Sequence, residues 1–127
     1  MKAIWLKLGD YVKRNGQPEK VFELANKQIN GLPESEFEPL GITPEMLVKN
    51  GFKAAYETRY TLLGTYSKVS VGFHHYPTDQ HLVADSVEVT MYDTDFDEER
   101  KIENNCLEYM HDLQQAMTYC GLKDIEL

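Results

Sequence analysis

The turn Asn15-Gly16, with a run of alternating apolar residues on either side, constrains the fold of this chain more than any other feature. Asn and Gly both adopt positive φ at low cost, so this pair between two alternating runs is a strong short-range signal for a β-hairpin. The pattern predicts strands over residues 9–14 and 18–24. Pro18 then begins an edge strand, where its missing N–H costs no hydrogen bond between strands.

A third short strand is predicted over residues 28–32, after a turn at 25–27. Three short strands joined by tight turns indicate a small, strongly bent sheet of SH3-like character. Residues 33–41 are rich in Pro and Glu and end in Gly41, which is typical of a loop. The N-terminal part of the chain is therefore expected to be a small β unit.

A short helix is predicted over residues 44–50. Thr43 suits the N-cap position, and Pro44 suits the first helical position because its absent N–H would be unpaired there. Glu45 lies in the first turn, where its charge is favourable to the helix dipole. Gly51 can supply the left-handed residue that ends the helix.

The middle of the chain alternates between apolar and polar residues, which predicts antiparallel strands with one buried face. The strands are expected at residues 56–63, 66–76 and 82–92. In the second of them, Val69 and Val71 face one way, whereas Lys68 and Ser70 face the other. The last two strands would form a hairpin around residues 77–80.

The C-terminal third is predicted to begin with an acidic loop at residues 93–99 and to continue as a helix over residues 101–120. Apolar residues recur there at the spacing of one helix face. This stripe comprises Cys106, Met110, Leu113, Met117 and Cys120. The helix would end at Gly121 and bury its stripe against the sheet.

These elements together predict an α+β fold. It comprises an N-terminal β-hairpin in a small bent SH3-like sheet, a short capped helix, antiparallel strands and a C-terminal helix packed on the sheet. With 127 residues, the chain is expected to form a single domain. Within it, residues 1–32 would be the N-terminal β unit, and residues 42–127 would hold the remaining helices and strands.

The net charge of −8 is unevenly distributed. Residues 1–60 hold nine Lys and Arg against eight Asp and Glu, whereas residues 61–127 hold four against thirteen. An acidic chain lacks the basic footprint of a protein that binds nucleic acid directly. The acidic half therefore indicates either a solvated surface or a protein partner with a basic surface.

No apolar run approaches the roughly 20 residues needed to span a bilayer, and Lys7 and Asp10 interrupt the N-terminus where a signal peptide would be apolar. We therefore expect a cytoplasmic protein without a membrane partner. Cys106 and Cys120, placed in one helix, would lie roughly 21 Å apart at about 1.5 Å of rise per residue. That separation excludes a disulfide between them and predicts two buried thiols.

No constellation of residues predicts a catalytic, cofactor or metal site. His81 could pair with only one of His74 and His75, because adjacent residues of a strand face opposite ways, and a closed metal site needs about four ligands. The acidic run from Asp93 resembles a calcium loop at its first, third and fifth positions. It has Glu98 where glycine is required and Asn104 where a bidentate glutamate is required.

Acidic and tyrosine side chains are the candidates for binding a partner, since clustered charge attracts a complementary surface and tyrosine is enriched among interface anchors. The alternative interpretation is that the carboxylates form a solvated loop and the tyrosines form cross-strand packing pairs. The candidate residues are Asp93, Asp95, Asp97, Glu99, Tyr66, Tyr76 and Tyr92.

Three segments of the chain occur in a recognisable order. They are LKLGDYVKRNGQPEKVFEL at residues 6–24, EPLGITPEMLVKNGFK at 38–53 and CLEYMHDLQQAMTYCG at 106–121. Together they resemble a group of small uncharacterised proteins encoded in Bacteroidota genomes, prophages and mobile elements, with Met110 here where valine is usual. The resemblance implies a cytosolic protein from a phage or mobile element. It implies no reaction and no catalytic residue, because each segment is a structural motif.

The leading hypothesis is a non-enzymatic protein-interaction module. It would bind through the solvent-facing side of its sheet or through its acidic C-terminal half. One alternative is an acidic mimic of nucleic acid that inhibits a host enzyme. A second is a small-ligand-binding or hydrolytic enzyme built around His74 and His81. A third is self-association, in which an unpaired sheet edge pairs with a second copy.

Overall fold

The computed structural model describes residues 1–56, 58–64, 67–75, 82–93, 98–105 and 109–127. Its side chains are described at residues 1–55, 58–64, 67–73 and 109–127. The strands, in chain order, are β1 (Tyr11–Arg14), β2 (Gln17–Lys20), β3 (Leu24–Ala25), β4 (Gln28–Ile29), β5 (Leu32–Pro33), β6 (Glu38–Pro39), β7 (Lys53–Tyr56), β8 (Arg59–Leu63), β9 (Ser67–His75), β10 (Leu82–Asp93) and β11 (Glu98–Asn105). The helices are α1 (Pro44–Lys49) and α2 (Met110–Tyr119), with 3-10 turns at Ala3–Trp5 and Glu34–Glu36.

The described strands form three antiparallel sheets, and the predicted α+β class is confirmed. Two of the sheets have three strands each, in the orders β2-β1-β6 and β3-β4-β5. The third sheet has five strands in the order β11-β10-β9-β8-β7. In the described part of the chain, neither helix is both long and apolar enough to cross a membrane.

The predicted N-terminal hairpin is confirmed. Asn15 and Gly16 have φ values of 51° and 78°, and they join β1 to β2 with Arg14 opposite Gln17. Pro18 lies in β2, which is an edge strand of its sheet. The second strand is shorter than predicted and ends at Lys20.

The prediction of one strand over residues 28–32 is wrong, because a second Asn-Gly turn interrupts it. Asn30 and Gly31 have φ values of 51° and 79°, the same left-handed pair as in the first hairpin. They join β4 to β5, and these strands form a sheet with β3 instead of extending the first hairpin. The third strand beside β1 is β6, from the segment predicted to be a loop.

Helix α1 forms as predicted and ends one residue earlier, at Lys49. The Thr43 hydroxyl accepts a hydrogen bond from the Met46 N–H at 3.3 Å, and Gly51 has a φ of 90° just beyond the helix. Leu47 is buried in the core. The helix therefore combines a capped start, a glycine stop and one fully buried side chain.

We expect Thr43→Ala to lower the free energy of unfolding by about 1 kcal/mol, since the substitution removes the N-cap acceptor of α1. The matched variant is Thr43→Ser, which keeps a hydroxyl at the same position and should remain close to the wild type. Urea unfolding of the three proteins measures the difference. Equal destabilisation by both substitutions would show that the hydroxyl does not contribute as a cap.

The prediction of a helix over residues 101–120 is wrong in its first half. Residues Glu98–Asn105 form β11, which pairs with β10, and α2 begins only at Met110. Helix propensity is a weak preference, and pairing with a long neighbouring strand overrides it here. Asp93, Glu98 and Glu99 therefore lie in strands instead of in the predicted loop, and the separation estimated for the two cysteines no longer follows.

Two hydrophobic clusters lie inside the described part of the molecule. The first, in the N-terminal part of the chain, contains Leu6, Val12, Val21, Ile29 and Phe37. The second contains Leu40, Ile42, Leu47, Phe52, Val69, Val71, Phe73, Met110, Leu113, Ala116, Met117 and Ile125. Helix α2 thus buries the predicted stripe at Met110, Leu113 and Met117 together with residues of β9 and α1.

Candidate functional site

Strands β8 and β9 have one face in the core and one face that lines an open groove. Val69, Val71 and Phe73 are buried in the core, and Tyr60 and Leu62 pack against them. Alternation along the strands then places the residues between them on the other face, as the sequence predicts for Lys68 and Ser70. This second face is the candidate site.

The groove has a volume of about 620 Å³, which is within the usual range for a binding site in a protein. It is lined by Gly51, Lys53, Ala54, Ala55, Arg59, Thr61, Leu62, Leu63, Lys68 and Ser70. We call it the basic groove. The hydroxyls of Thr61 and Ser70 lie 3.1 Å apart across β8 and β9, and Ser70 is only 6% exposed, so this pair forms the floor.

Register brings the lining residues together from three strands. Lys53 lies opposite Thr61, and Thr61 lies opposite Ser70, so these three form one row across the sheet. Arg59 is two residues before Thr61 on β8, and Lys68 is two residues before Ser70 on β9. Neighbouring strands lie about 4.8 Å apart, and alternate residues of one strand about 6.8 Å apart. The three cationic side chains therefore surround one pair of hydroxyls.

The charge of the basic groove is opposite to that of the whole chain. Lys53, Arg59 and Lys68 are its charged residues, and none of the described residues that line it is a carboxylate, an imidazole or a thiol. No ion pair joins Lys53 or Lys68 to another described residue. Ammonium, guanidinium and hydroxyl groups together can donate hydrogen bonds to a carboxylate or a phosphate. The groove is thus suited to binding an anion.

The structure brings some of the acidic and tyrosine candidates together on β10 and β11. Tyr92 lies opposite Glu99 in register, and Asp93 lies opposite Glu98. Asp95, Asp97, Tyr66 and Tyr76 lie outside the described residues. The described backbone therefore places Tyr92, Asp93 and Glu99 at one end of the β10–β11 pair. In the five-stranded sheet, β9 separates this pair from β8 and β7.

The histidines and cysteines considered from the sequence are only partly described. His74 and His75 lie in β9 opposite Val83 and Leu82, and His81 lies outside the described residues. Cys120 follows α2 and is half-buried against the core, where burial raises the pKa of its thiol and a hydrogen bond with Ser67 acts in the opposite direction. Cys106 lies outside the described residues. In the described part of the chain, no three His, Cys, Asp or Glu side chains are grouped as metal ligands would be.

Sequence reasoning missed Lys53, Arg59 and Lys68 as one group because their number and spacing are unremarkable along the chain. The available signal was alternation, since Arg59 and Thr61 alternate with Tyr60 and Leu62 just as Lys68 and Ser70 alternate with Val69 and Val71. Combining the polar faces of two neighbouring strands would have located the groove.

Comparison of the chain with protein families, with curated proteins and with solved structures gives no match.

Proposed function

We propose that this chain is a protein-interaction module without catalytic activity, which binds an acidic segment of a partner protein in the basic groove. The observation that carries the proposal is the placement of Lys53, Arg59 and Lys68 around the Thr61–Ser70 hydroxyl pair. An acidic segment would exchange water for charge-assisted hydrogen bonds with these groups. Because the groove is open to solvent, each such ion pair contributes about 0.2–1 kcal/mol.

An extended peptide matches the spacing of the polar residues along β8. Alternate residues of an extended chain are about 6.8 Å apart, so its side chains would have the same period as the guanidinium of Arg59 and the hydroxyl of Thr61. The groove lies along β7 and β8, and its volume of about 620 Å³ leaves room for several side chains. Leu63, which is 74% exposed, contributes apolar lining beside the charges, which suits a segment that mixes acidic and apolar residues.

The charge of the whole chain favours a short acidic segment over nucleic acid. A net charge of −8 repels a long polyanion, whose affinity depends on neutralising many phosphates. A short segment instead meets mainly the local field of the groove, because the Debye length is about 8 Å at physiological ionic strength. Local attraction and distant repulsion together would select for a compact anionic ligand.

The test is a fluorescence-anisotropy titration of labelled hexaglutamate with the wild type and two charge-matched double variants. Lys53→Gln with Lys68→Gln removes two cations from the groove. Lys13→Gln with Lys123→Gln removes the same charge from outside it. We expect the groove variant to bind about tenfold more weakly, or about 1.4 kcal/mol, as the loss of two partly exposed ion pairs implies. The control variant should stay within about twofold of the wild type because it leaves the groove intact.

Two further ligands complete the experiment. Labelled hexaglutamine is the uncharged control peptide, and unlabelled tripolyphosphate is a competing small anion. The proposal requires that hexaglutamine does not bind and that raising the salt concentration weakens the binding of hexaglutamate. Equal losses in the two double variants would show that net charge, and not the groove, determines binding. Competition by tripolyphosphate without binding of hexaglutamate would point to a small inorganic anion and would also contradict the proposal.

A further inference from the structure

A second surface of the molecule, remote in sequence from the basic groove, carries large apolar side chains in solvent. Ile4 is 86% exposed, Trp5 55%, Tyr119 66% and Tyr109 38%. Neighbouring exposed residues of this size indicate an interaction site, and Trp and Tyr are the side chains most enriched among binding anchors. We call these four residues the aromatic surface.

Hydrogen bonds from helix α2 reach the segment that carries Ile4 and Trp5 of the aromatic surface. The Gln115 side-chain amide on α2 donates hydrogen bonds to the Trp5 carbonyl and to the Asp10 carboxylate, each at 2.9 Å. Asp10 is itself fully buried, and it also accepts a hydrogen bond from the Lys7 N–H. The backbone of the 3-10 turn that carries Ile4 and Trp5 is therefore hydrogen-bonded to α2, while more than half of Trp5 remains exposed.

Ile4 and Trp5 contribute to two hollows along α2. The first has a volume of about 420 Å³ and is also lined by Pro39, Tyr109, His111 and Asp112. The second has a volume of about 350 Å³ and extends to Lys7 and Tyr119. Each hollow is thus lined by Trp5 and by a tyrosine from one end of α2.

We propose that the aromatic surface binds a proline-rich segment in the polyproline II conformation. Such segments bind in grooves lined by aromatic side chains, where their fixed backbone loses little entropy on binding. Tyr109 and Tyr119 are ten helical residues apart, which corresponds to about 15 Å along α2 and to about five residues of polyproline II. Prolines three positions apart, with a separation of about 9 Å, would occupy the two hollows on either side of Trp5.

Hydrogen-bonding groups on the aromatic surface match this ligand. A polyproline II segment has no internal hydrogen bonds, so its carbonyls accept from outside. The Trp5 indole N–H and the hydroxyls of Tyr109 and Tyr119 make no hydrogen bond within the described part of the protein, which leaves them available as donors. Trp5 lines both hollows, Tyr109 lines the first and Tyr119 lines the second.

Charge at the two ends of the surface indicates the direction of the ligand. The Asp112 carboxylate lines the first hollow, where it accepts the Tyr109 N–H at 3.4 Å and lies 3.5 Å from His111 Nε2. Lys7 lines the second hollow. Because the Lys7 ammonium is already paired with the Asp10 carboxylate at 3.1 Å, Asp112 is the charge that sets the direction, and a basic residue of the segment would lie beside it.

The test uses the intrinsic fluorescence of Trp5, the only tryptophan of the chain. The probe is a decapeptide with repeated Pro-Pro-Ala and one terminal arginine, and the control peptide has alanine at every proline. We expect a saturable change of Trp5 emission with the proline peptide and none with the control. Tyr119→Ala should weaken the binding at least tenfold. Phe22→Ala removes a side chain that is 71% exposed but is not part of either hollow, and it should have no effect.

A separate variant tests the direction in which the proline-rich peptide binds. Asp112→Asn keeps an oxygen that can accept the Tyr109 N–H but removes the charge, so it should weaken the arginine-bearing peptide and leave a peptide with neutral ends unaffected. Absence of a saturable change with the wild type, or equal effects of Tyr119→Ala and Phe22→Ala, would overturn the proposal. It would also be overturned if Trp5 emission changed with protein concentration alone while sedimentation showed a dimer, because a second copy would then occupy the surface. This inference does not depend on the basic groove.

Discussion

Replacement of Gln114 by alanine is expected to lower the free energy of unfolding by about 3–5 kcal/mol, because each buried polar group left without a partner costs about 1–3 kcal/mol. Gln114 is fully buried on α2. Its side-chain oxygen accepts the Tyr11 N–H at 2.7 Å, and its amide nitrogen donates to the Gly9 carbonyl at 2.9 Å and to Asp124 at 3.1 Å. One side chain therefore joins β1, α2 and the C-terminal segment.

Urea unfolding monitored by Trp5 fluorescence measures this loss. The matched variant is Gln114→Met, which preserves most of the side-chain volume and removes all three hydrogen bonds. If the hydrogen bonds dominate, Gln114→Met should retain most of the destabilisation, since the partly buried Tyr11 N–H and Gly9 carbonyl lose their partner. A methionine variant as stable as the wild type would instead assign the effect of alanine to the cavity.

The features that could be predicted from the sequence are those that depend on a few neighbouring residues. Asn15-Gly16 adopts the backbone that the two residues prefer in any chain, and the pair Thr43-Pro44 begins a helix by hydrogen bonds within one turn. Gly121, with a φ of 70°, ends α2 where predicted. In each case the stabilising interactions lie within a few neighbouring residues, so the feature could be predicted without knowing the rest of the fold.

Residues 98–105 could not be predicted correctly because their structure is determined by a distant partner. This segment is rich in Glu, Lys and Arg, which favour a helix when no other interaction competes. It pairs instead with residues 87–93 of β10, with an irregularity in register at Val89–Thr90. The sequence period alone does not encode that pairing, and neither does it show where the strand must stop.

Both candidate surfaces depend on contacts between residues that are far apart in the chain. The basic groove requires the register of β7, β8 and β9, which aligns Lys53, Thr61 and Ser70. The aromatic surface requires a hydrogen bond from Gln115 to Trp5, 110 residues away. The sequence could predict the polar face of each strand, but it could not show which faces would meet.

The second large effect is expected at Leu47, where substitution by alanine should cost about 3 kcal/mol, within the usual range of about 2–5 kcal/mol for a buried leucine. Leu47 is completely buried beside residues of β9 and α2, whereas its neighbour Val48 is 59% exposed. Val48→Ala should change stability by less than about 0.5 kcal/mol, since it removes little buried surface and alanine is the better helix former.

This pair separates burial from helix propensity, because both substitutions place alanine in the same short helix behind the same Thr43 cap. A six-residue helix is too short to be stable alone in water, so packing of Leu47 must hold α1 in place. Thermal or urea unfolding of the two variants gives the comparison directly. Similar small losses at both positions would mean that α1 is not docked on the core that also contains Met110 and Leu113. A loss confined to Leu47 would show that its buried side chain secures α1 to that core. Gly51 and the start of β7, which line the basic groove, directly follow this helix.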